Sequence, residues 1–270
     1  MRARVRGLSR PPAGGRAKQG VRVATQLVGI RVESAAPTEL ARFWAEALGW
    51  HVDGTAARSA VPGVPDLLFT ASQRPKTAKN RLHLDLDHAP DGDVDTEAAR
   101  LIVLGAQHTD IGQGAVPWRV LADPEGNEFC VLPRPPLPHA GPPRDSGVGR
   151  LAQICLDAAD MNRQETFWAA ATGWTFAVRD AWAVRLSGRE DTAPTLVMGP
   201  PAAPKAGANR LGLVLSAADG PVEDSIRGLV ASGATLLADA DAGAGAEPGT
   251  ALVDPEGNEF WVADAGKARR

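Results

Sequence analysis

The string DPEGNEF occupies residues 123–129 and returns, unchanged, at residues 254–260. It runs on into CVL in the first place and into WVA in the second. Its first five residues are turn chemistry. Proline presets one backbone angle, glycine supplies a positive φ, and the Asp and Asn side chains bond the local backbone. Both copies stand between apolar stretches, so each is predicted to join two strands as a hairpin.

The string belongs to a longer repeat. FWAEALGW at 43–50 matches FWAAATGW at 167–174, and NRLHLDL at 80–86 matches NRLGLVL at 209–215. The blocks keep their order while the offset grows from 124 to 131 residues. That is a tandem duplication with short loop insertions in the second copy. Between the copies lies PRPPLPHAGPPRDSG, whose proline density excludes a helix or a central strand and favours a stiff extended connection. The reading is a basic extension at 1–24, a first domain at 25–132, a Pro-rich linker at 133–148 and a second domain at 149–264.

Bulk properties narrow the function classes. With 270 residues, 44% apolar and 23% charged, the composition is that of a globular protein with room for two domains. No apolar run is long enough to span a membrane, so no membrane partner is expected. Residues 1–24 carry seven basic side chains and no acid, so the net charge of −3 conceals a distinctly acidic body. An acidic body argues against a nucleic-acid partner, and the basic arm reads as a disordered extension. Two cysteines make no disulfide or zinc framework, and a reducing cytoplasm is the expected compartment. No phosphate-binding loop, dinucleotide fingerprint or nucleophile elbow occurs. The glycine-rich stretch at 243–249 reads as a loop.

Each copy has an internal rhythm. Residues 26–33 read as a strand. Pro37 opens a helix whose apolar face is Leu40, Phe43, Trp44, Ala47 and Leu48, ended by Gly49. Short strands follow to Phe69. The pattern then restarts: a strand at 81–87, a helix at 95–104 closed by Gly105, and strands at 116–122 and 128–132.

Strand–helix–short strands, twice per copy, resembles the βαβββ modules of the vicinal oxygen chelate superfamily. The signatures FWAEALGW, KNRLHLDL and ADPEGNEFCVL resemble those of its glyoxalase-like domains. The resemblance implies an α+β fold of two tandem domains, each of paired modules curling a sheet into a cup. It also implies where a metal would be held in metal-using members. One ligand sits on the first strand of the first module, a second, usually His, on the first strand of the second module, and a Glu follows the final turn. The position of that Glu is Cys130 in the first copy and Trp261 in the second. His83 stands in the expected place in the first copy, and Gly212 replaces it in the second. The first-strand positions are Gly29 and Gln153. The count leaves no standard metal site, and no cofactor is expected, although a divalent ion would find His83 and Cys130.

Strand alternation sorts the remaining candidates. Leu82, Leu84 and Leu86 share one face of their strand, and Arg81, His83, Asp85 and Asp87 share the other. On this basis the first cup is expected to hold Arg31, Arg81, His83, Asp85, Glu128 and Cys130. The second would hold Gln153, Cys155, Arg210, Glu259 and Trp261. His83 and Glu128 are the candidate catalytic residues. Arg31, Arg81, His83, Asp85, Cys130, Gln153 and Trp261 are the candidate ligand contacts. The expected function is binding of a small organic molecule in the first domain's cup. The alternative is a metal-dependent lyase, isomerase or dioxygenase of the glyoxalase type. The two domains are expected to pair within the chain or through a homodimer.

Overall fold

A computed structural model describes residues 25–133, 148–190, 192–200, 202–218, 220–238 and 249–263. The basic extension, nearly all of the Pro-rich linker and most of the glycine-rich stretch lie outside the described residues. Four βαβββ modules follow one another. The first is β1 (Thr25–Ser34), α1 (Pro37–Leu48), β2 (His51–Asp53), β3 (Ala56–Arg58) and β4 (Asp66–Ala71). The second is β5 (Leu82–Asp87), α2 (Val94–Leu104), β6 (Gln107–His108), β7 (Arg119–Ala122) and β8 (Glu128–Leu132). The third is β9 (Leu151–Asp157), α3 (Met161–Thr172), β10 (Thr175–Arg179), β11 (Val184–Ser187) and β12 (Thr195–Gly199). The fourth is β13 (Leu211–Ala217), α4 (Val222–Ala231), β14 (Thr235–Leu236), β15 (Thr250–Val253) and β16 (Glu259–Ala263).

The modules form two open sheets of eight strands, each built from two modules. Membership of the sheets differs from the sequence expectation. The modules pair across the two copies: the first with the fourth, joined at β1 and β13, and the second with the third, joined at β5 and β9. Neither cup belongs to one copy of the repeat. We call them the outer cup (first and fourth modules) and the inner cup (second and third modules).

Strand β7 begins at Arg119, later than the residue 116 expected from the sequence. Pro117 has no N–H for a ladder, so residues 116–118 leave the sheet. The apolar face read for α1 is buried throughout, and Gly49 ends the helix in the left-handed conformation at φ 66°.

Each copy packs its core between the two sheets. The ring of Trp44 on α1 meets Phe43 and Phe129 edge-to-face at 5.5 and 5.1 Å, so a helix of one sheet packs on a strand of the other. Trp168, Phe167 and Phe260 repeat the cluster in the second copy. The DPEGNEF turn locks this packing. Asp123 is buried, and its two oxygens accept from the Glu125 and Asn127 backbone N–H groups, the Asn127 side chain and the Trp44 indole at 3.1 Å. Gly126, at φ 82°, closes the turn in a conformation that other residues avoid. Glu125 reaches to the start of α1 and accepts from the Ala35 and Ala36 N–H groups, supplying a cap that Ala36 cannot provide itself. Asp254 and Glu256 repeat both roles toward Trp168 and the start of α3.

The third repeated block joins the copies. Arg81 donates to Asn258 Oδ1 at 2.9 Å and to Glu256 at 3.3 Å, both in the second copy's turn. Arg210 donates to Asn127 Oδ1 at 3.2 Å and to Glu125 at 3.0 Å, both in the first copy's turn. The seam between the copies is thus a reciprocal exchange of arginines.

Replacing Asp123 by alanine leaves the Trp44 indole and two turn N–H groups without their acceptor. The expected loss is about 2–4 kcal/mol of unfolding free energy, read from urea denaturation. Glu125→Ala, which removes a helix cap and one seam partner, should cost about 1–2 kcal/mol.

Candidate functional site

The inner cup encloses a cavity of about 450 Å³, within the range of small-molecule sites. Its sheet face is built by three neighbouring strands. Strand β5 contributes His83 and Asp85. Cys130 on β8 lies across from Asp85, and Cys155 and Gln153 on β9 lie across from His83 and Asp85. Alternation explains the selection: Leu82, Leu84 and Leu86 point into the core, so their neighbours face the cup. The walls are largely apolar, formed by Leu132, Leu151, Val197, Pro117 and Trp118. Trp118 is steadied by its indole N–H, which donates to Gln113 at 2.9 Å. Two arginines line the cavity. Arg150 is tied to Asp87 at 2.7 Å, and Arg185 to the half-exposed Asp180 at 2.7 Å.

The electrostatics of the sheet face are those of a buried acid among weak partners. Burial pushes the Asp85 carboxyl up to about 6, although hydrogen bonds from the Cys155 and Cys130 thiols oppose the shift. The Cys155 thiol donates to Asp85 Oδ2 at 3.1 Å. Burial, then the neighbouring Asp85 charge, holds both thiols well above their ordinary range, so they remain protonated. Burial and the charge of Lys79 push His83 down to about 3, so its ring is neutral at physiological pH. Asp85 Oδ1 and His83 Nδ1 are buried and find no hydrogen-bond partner among the described residues. Lys79 makes its own ion pair elsewhere, with Asp157 at 2.8 Å.

The structure brings together His83, Asp85, Cys130 and Gln153 of the residues selected from the sequence, and adds Cys155, which had been assigned to the other cup. It sends the other candidates elsewhere. Glu128 is bound to Lys76 at 2.5 Å and accepts the Asn80 N–H, because it lies at the first residue of β8, beyond the cavity. Glu259 makes the same pair with Lys205. Arg81 and Arg210 are committed to the seam. Arg31 and Trp261 lie in the outer cup, and both are buried there. The Arg31 guanidinium stacks 4.4 Å from the Trp261 ring centroid, and its Nε donates to Thr70 at 2.8 Å. Trp261 can lie down there because Gly212 has no side chain. A Cβ at that position would come within 2.4 Å of the indole. The two cups therefore have equivalent positions with opposite contents. His83, Asp85, Cys130 and Cys155 of the inner cup correspond to Gly212, Val214, Trp261 and Arg31 of the outer one.

Sequence reasoning missed Arg150, Arg185, Trp118 and Val197 as cavity residues. Three of them reach it through the third module or the ordered start of β9, which only the cross-copy pairing places there. Trp118 does so because Pro117 takes it out of its strand.

A metal-using relative would need a converging donor set. His83, Asp85 and Cys130 each offer one ligand atom, and these atoms lie within 4.8 Å of one another. The two unpartnered buried atoms, on His83 and Asp85, fall in the same group. An imidazole, a carboxylate and a thiol suit a borderline-to-soft divalent ion, and they differ from the oxygen-rich set that hard ions take.

Comparison with known proteins agrees with this architecture. The family model described as glyoxalase-like domain matches twice, at residues 29–132 and 153–263. Glyoxalase I from Zea mays is similar in structure, with a TM-score of 0.57 at 16% identity over 90% of this chain and 93% of that one. A putative dioxygenase from Bacillus subtilis has a TM-score of 0.56 at 14% identity over 88% of this chain and 84% of that one. At such identities the likeness concerns the fold. No curated protein matches the chain.

The buried acid gives a pH-dependent stability. Asp85 has a folded pKa raised above its unfolded value, so ionising it opposes folding. The penalty is absent below the unfolded value of 3.8 and fully present above about 6. Asp85→Asn in chelator-treated protein should therefore raise the urea midpoint at pH 8 and leave it little changed at pH 4.

Proposed function

The chain belongs to the glyoxalase-like domain family of the vicinal oxygen chelate superfamily, and on that premise we propose that it binds a small organic molecule in the inner cup. The observation that carries this reading is the contrast between the two cups. In one the buried Trp261 ring lies against Gly212, and the other keeps a cavity of about 450 Å³ at the equivalent place. Its apolar walls would take the body of a ligand, and the few polar groups on the sheet face would orient it. His83 offers a neutral ring to donate or accept one hydrogen bond, and Asp85 Oδ1 offers an uncommitted acceptor. Arg185 is the wall cation with the more exposed partner, so it is the group best able to turn toward an anionic substituent. The two free thiols fit a reducing compartment. No helix among the described residues is long and apolar enough to cross a membrane.

A second reading, a metal-dependent lyase, isomerase or dioxygenase, is favoured by the convergence of His83, Asp85 and Cys130. An ion held there would supply Lewis-acid polarisation of a substrate oxygen. In that reading Asp85 is one of the ligands, and the ion would hold its carboxyl ionised. Glu128 has no part in it, being paired with Lys76.

The decisive experiment is a ligand screen by thermal shift on the wild-type chain and on Val197→Trp. Val197 lines the inner cavity on β12, and an indole there should occupy it. A true ligand raises the midpoint of the wild type, as any molecule that binds only the folded state does. At a hundredfold excess over Kd the stabilisation is about 2.7 kcal/mol. Val197→Trp should abolish the shift. A shift of equal size in Val197→Trp would move the binding site out of the inner cup.

A further inference from the structure

We propose that the inner cup selects an elongated dipolar organic molecule, with an anionic group at one end held by Arg185, a protonated amine at the other held by Asp85, and an apolar body between them. The assignment rests on the binding reading above and names the class of molecule bound. Its basis is the order of side chains across the cup floor. Strand register sets one row of four: Arg185 on β11, Val197 on β12, Cys155 on β9 and His83 on β5. A second row beside it runs through Thr195, Gln153, Asp85 and Cys130. Arg185 therefore stands three strands away from His83 and Asp85, about 14 Å between backbones. Val197 and the protonated Cys155 thiol occupy the interval, and neither carries a charge.

Both terminal charges are weakly committed. Asp87 and Arg150 also line the cavity, but they are spent on each other through two hydrogen bonds. Asp85 is 5% exposed and has no charged base committed to it among the described residues. Lys79 pairs with Asp157, the neutral His83 ring lies 3.6 Å away, and Asp85 Oδ1 has no hydrogen-bond partner. A buried carboxylate normally sits beside a cation or several strong donors, and an amine on the ligand supplies the charged donor that this one lacks. At the other end Arg185 has the half-exposed Asp180. An ion pair so open to water contributes little, so Arg185 can exchange it for an anion inside the cavity. The outer cup has no such division. Its row reads Ala56, Leu68, Arg31 and Gly212, with the cation in the middle and alanine in place of Arg185, and Val214 stands in place of Asp85. A molecule with one charged end leaves either Asp85 unpaired or Arg185 on Asp180, so affinity should depend on both ends. Once the reach of the arginine is subtracted, roughly 10 Å separates the two heads, which excludes short molecules. Leu132, Leu151 and Trp118 take the body between them.

The probe is a biphenyl with a carboxylate at one para end and an aminomethyl group at the other, titrated calorimetrically into the untagged, chelator-treated full chain. Biphenylcarboxylate and biphenylmethylamine, each with a single head, and the one-ring para-(aminomethyl)benzoate are the comparisons. The dipolar biphenyl should bind at least about tenfold more tightly than either single-headed molecule. Arg185→Gln should bring its affinity down to that of the amine and leave the amine's own affinity unchanged, with Arg185→Lys recovering part of the loss. Asp85→Asn should bring it down to that of the carboxylate and leave the carboxylate's own affinity unchanged. The one-ring molecule should respond to one substitution or the other, and not to both. Thermal melts of each variant without ligand separate loss of the site from loss of the fold. Single-headed molecules that bind as tightly as the dipolar one, a dipolar molecule indifferent to either substitution in a folded variant, or no binding of the dipolar molecule to the wild type would each overturn the proposal. The Val197→Trp screen is read separately: a ligand of another class that it blocks leaves the binding reading standing while this one falls.

Discussion

The structure depends on two buried carboxylates, Asp123 and Asp254, each at the head of a repeated turn. Each receives an indole N–H from a helix that belongs to the other sheet. Their desolvation is costly and raises their pKa values, and the cost is offset by saturating the oxygens with donors from the turn and from the tryptophan. Because turn and helix lie on different sheets, this one contact sets the spacing of the sheets within each copy. The glutamate two residues on caps the same helix, and the aromatic residue at the end of the string packs on the same tryptophan. The seven-residue string is a connector between layers as much as a hairpin.

The arginines of the third block extend the connection to the other copy. Arg81 and Arg210 each enter the turn of the opposite copy and meet an acid that is already capping a helix. Each acid thus serves its own helix and the foreign arginine together. A fully hydrogen-bonded and part-buried network of this kind specifies one pairing of modules, since a shifted pairing would strand two guanidinium groups. The central ladders of both sheets, β1 with β13 and β5 with β9, follow from that choice. The cups inherit their walls from it.

Much of this was legible in the sequence. The order of elements, the helix face of Leu40 to Leu48, the turn chemistry and the inward row of Leu82, Leu84 and Leu86 all follow from local periodicity, and local periodicity survives in the fold. The absent glutamate after each turn was also legible, since it is a matter of counting. The partnership of modules was not, because strand pairing between copies of a duplicated chain leaves no mark on either copy alone. That single gap displaced Arg31, Cys155 and Gln153 from their expected cups. Glu128 was misread for a different reason. Alternation placed it on the correct face, and only the ion pair with Lys76 reveals that the first residue of a strand can lie beyond the cavity.

The difference between the cups has a consequence for how such a molecule can change. If the two copies were separate identical chains forming a two-fold dimer, every substitution would appear in both cups at once. A tryptophan that plugs one would plug the other, and a glycine that admits it would remove the histidine everywhere. Joining the copies in one polypeptide ends that symmetry. It also turns the association of the halves into an intramolecular event at high effective concentration, so the seam no longer has to overcome dilution. One cup is then free to bury a tryptophan under an arginine, while the other keeps its hollow. The Pro-rich connection is in this sense what allows the two cups of one molecule to differ.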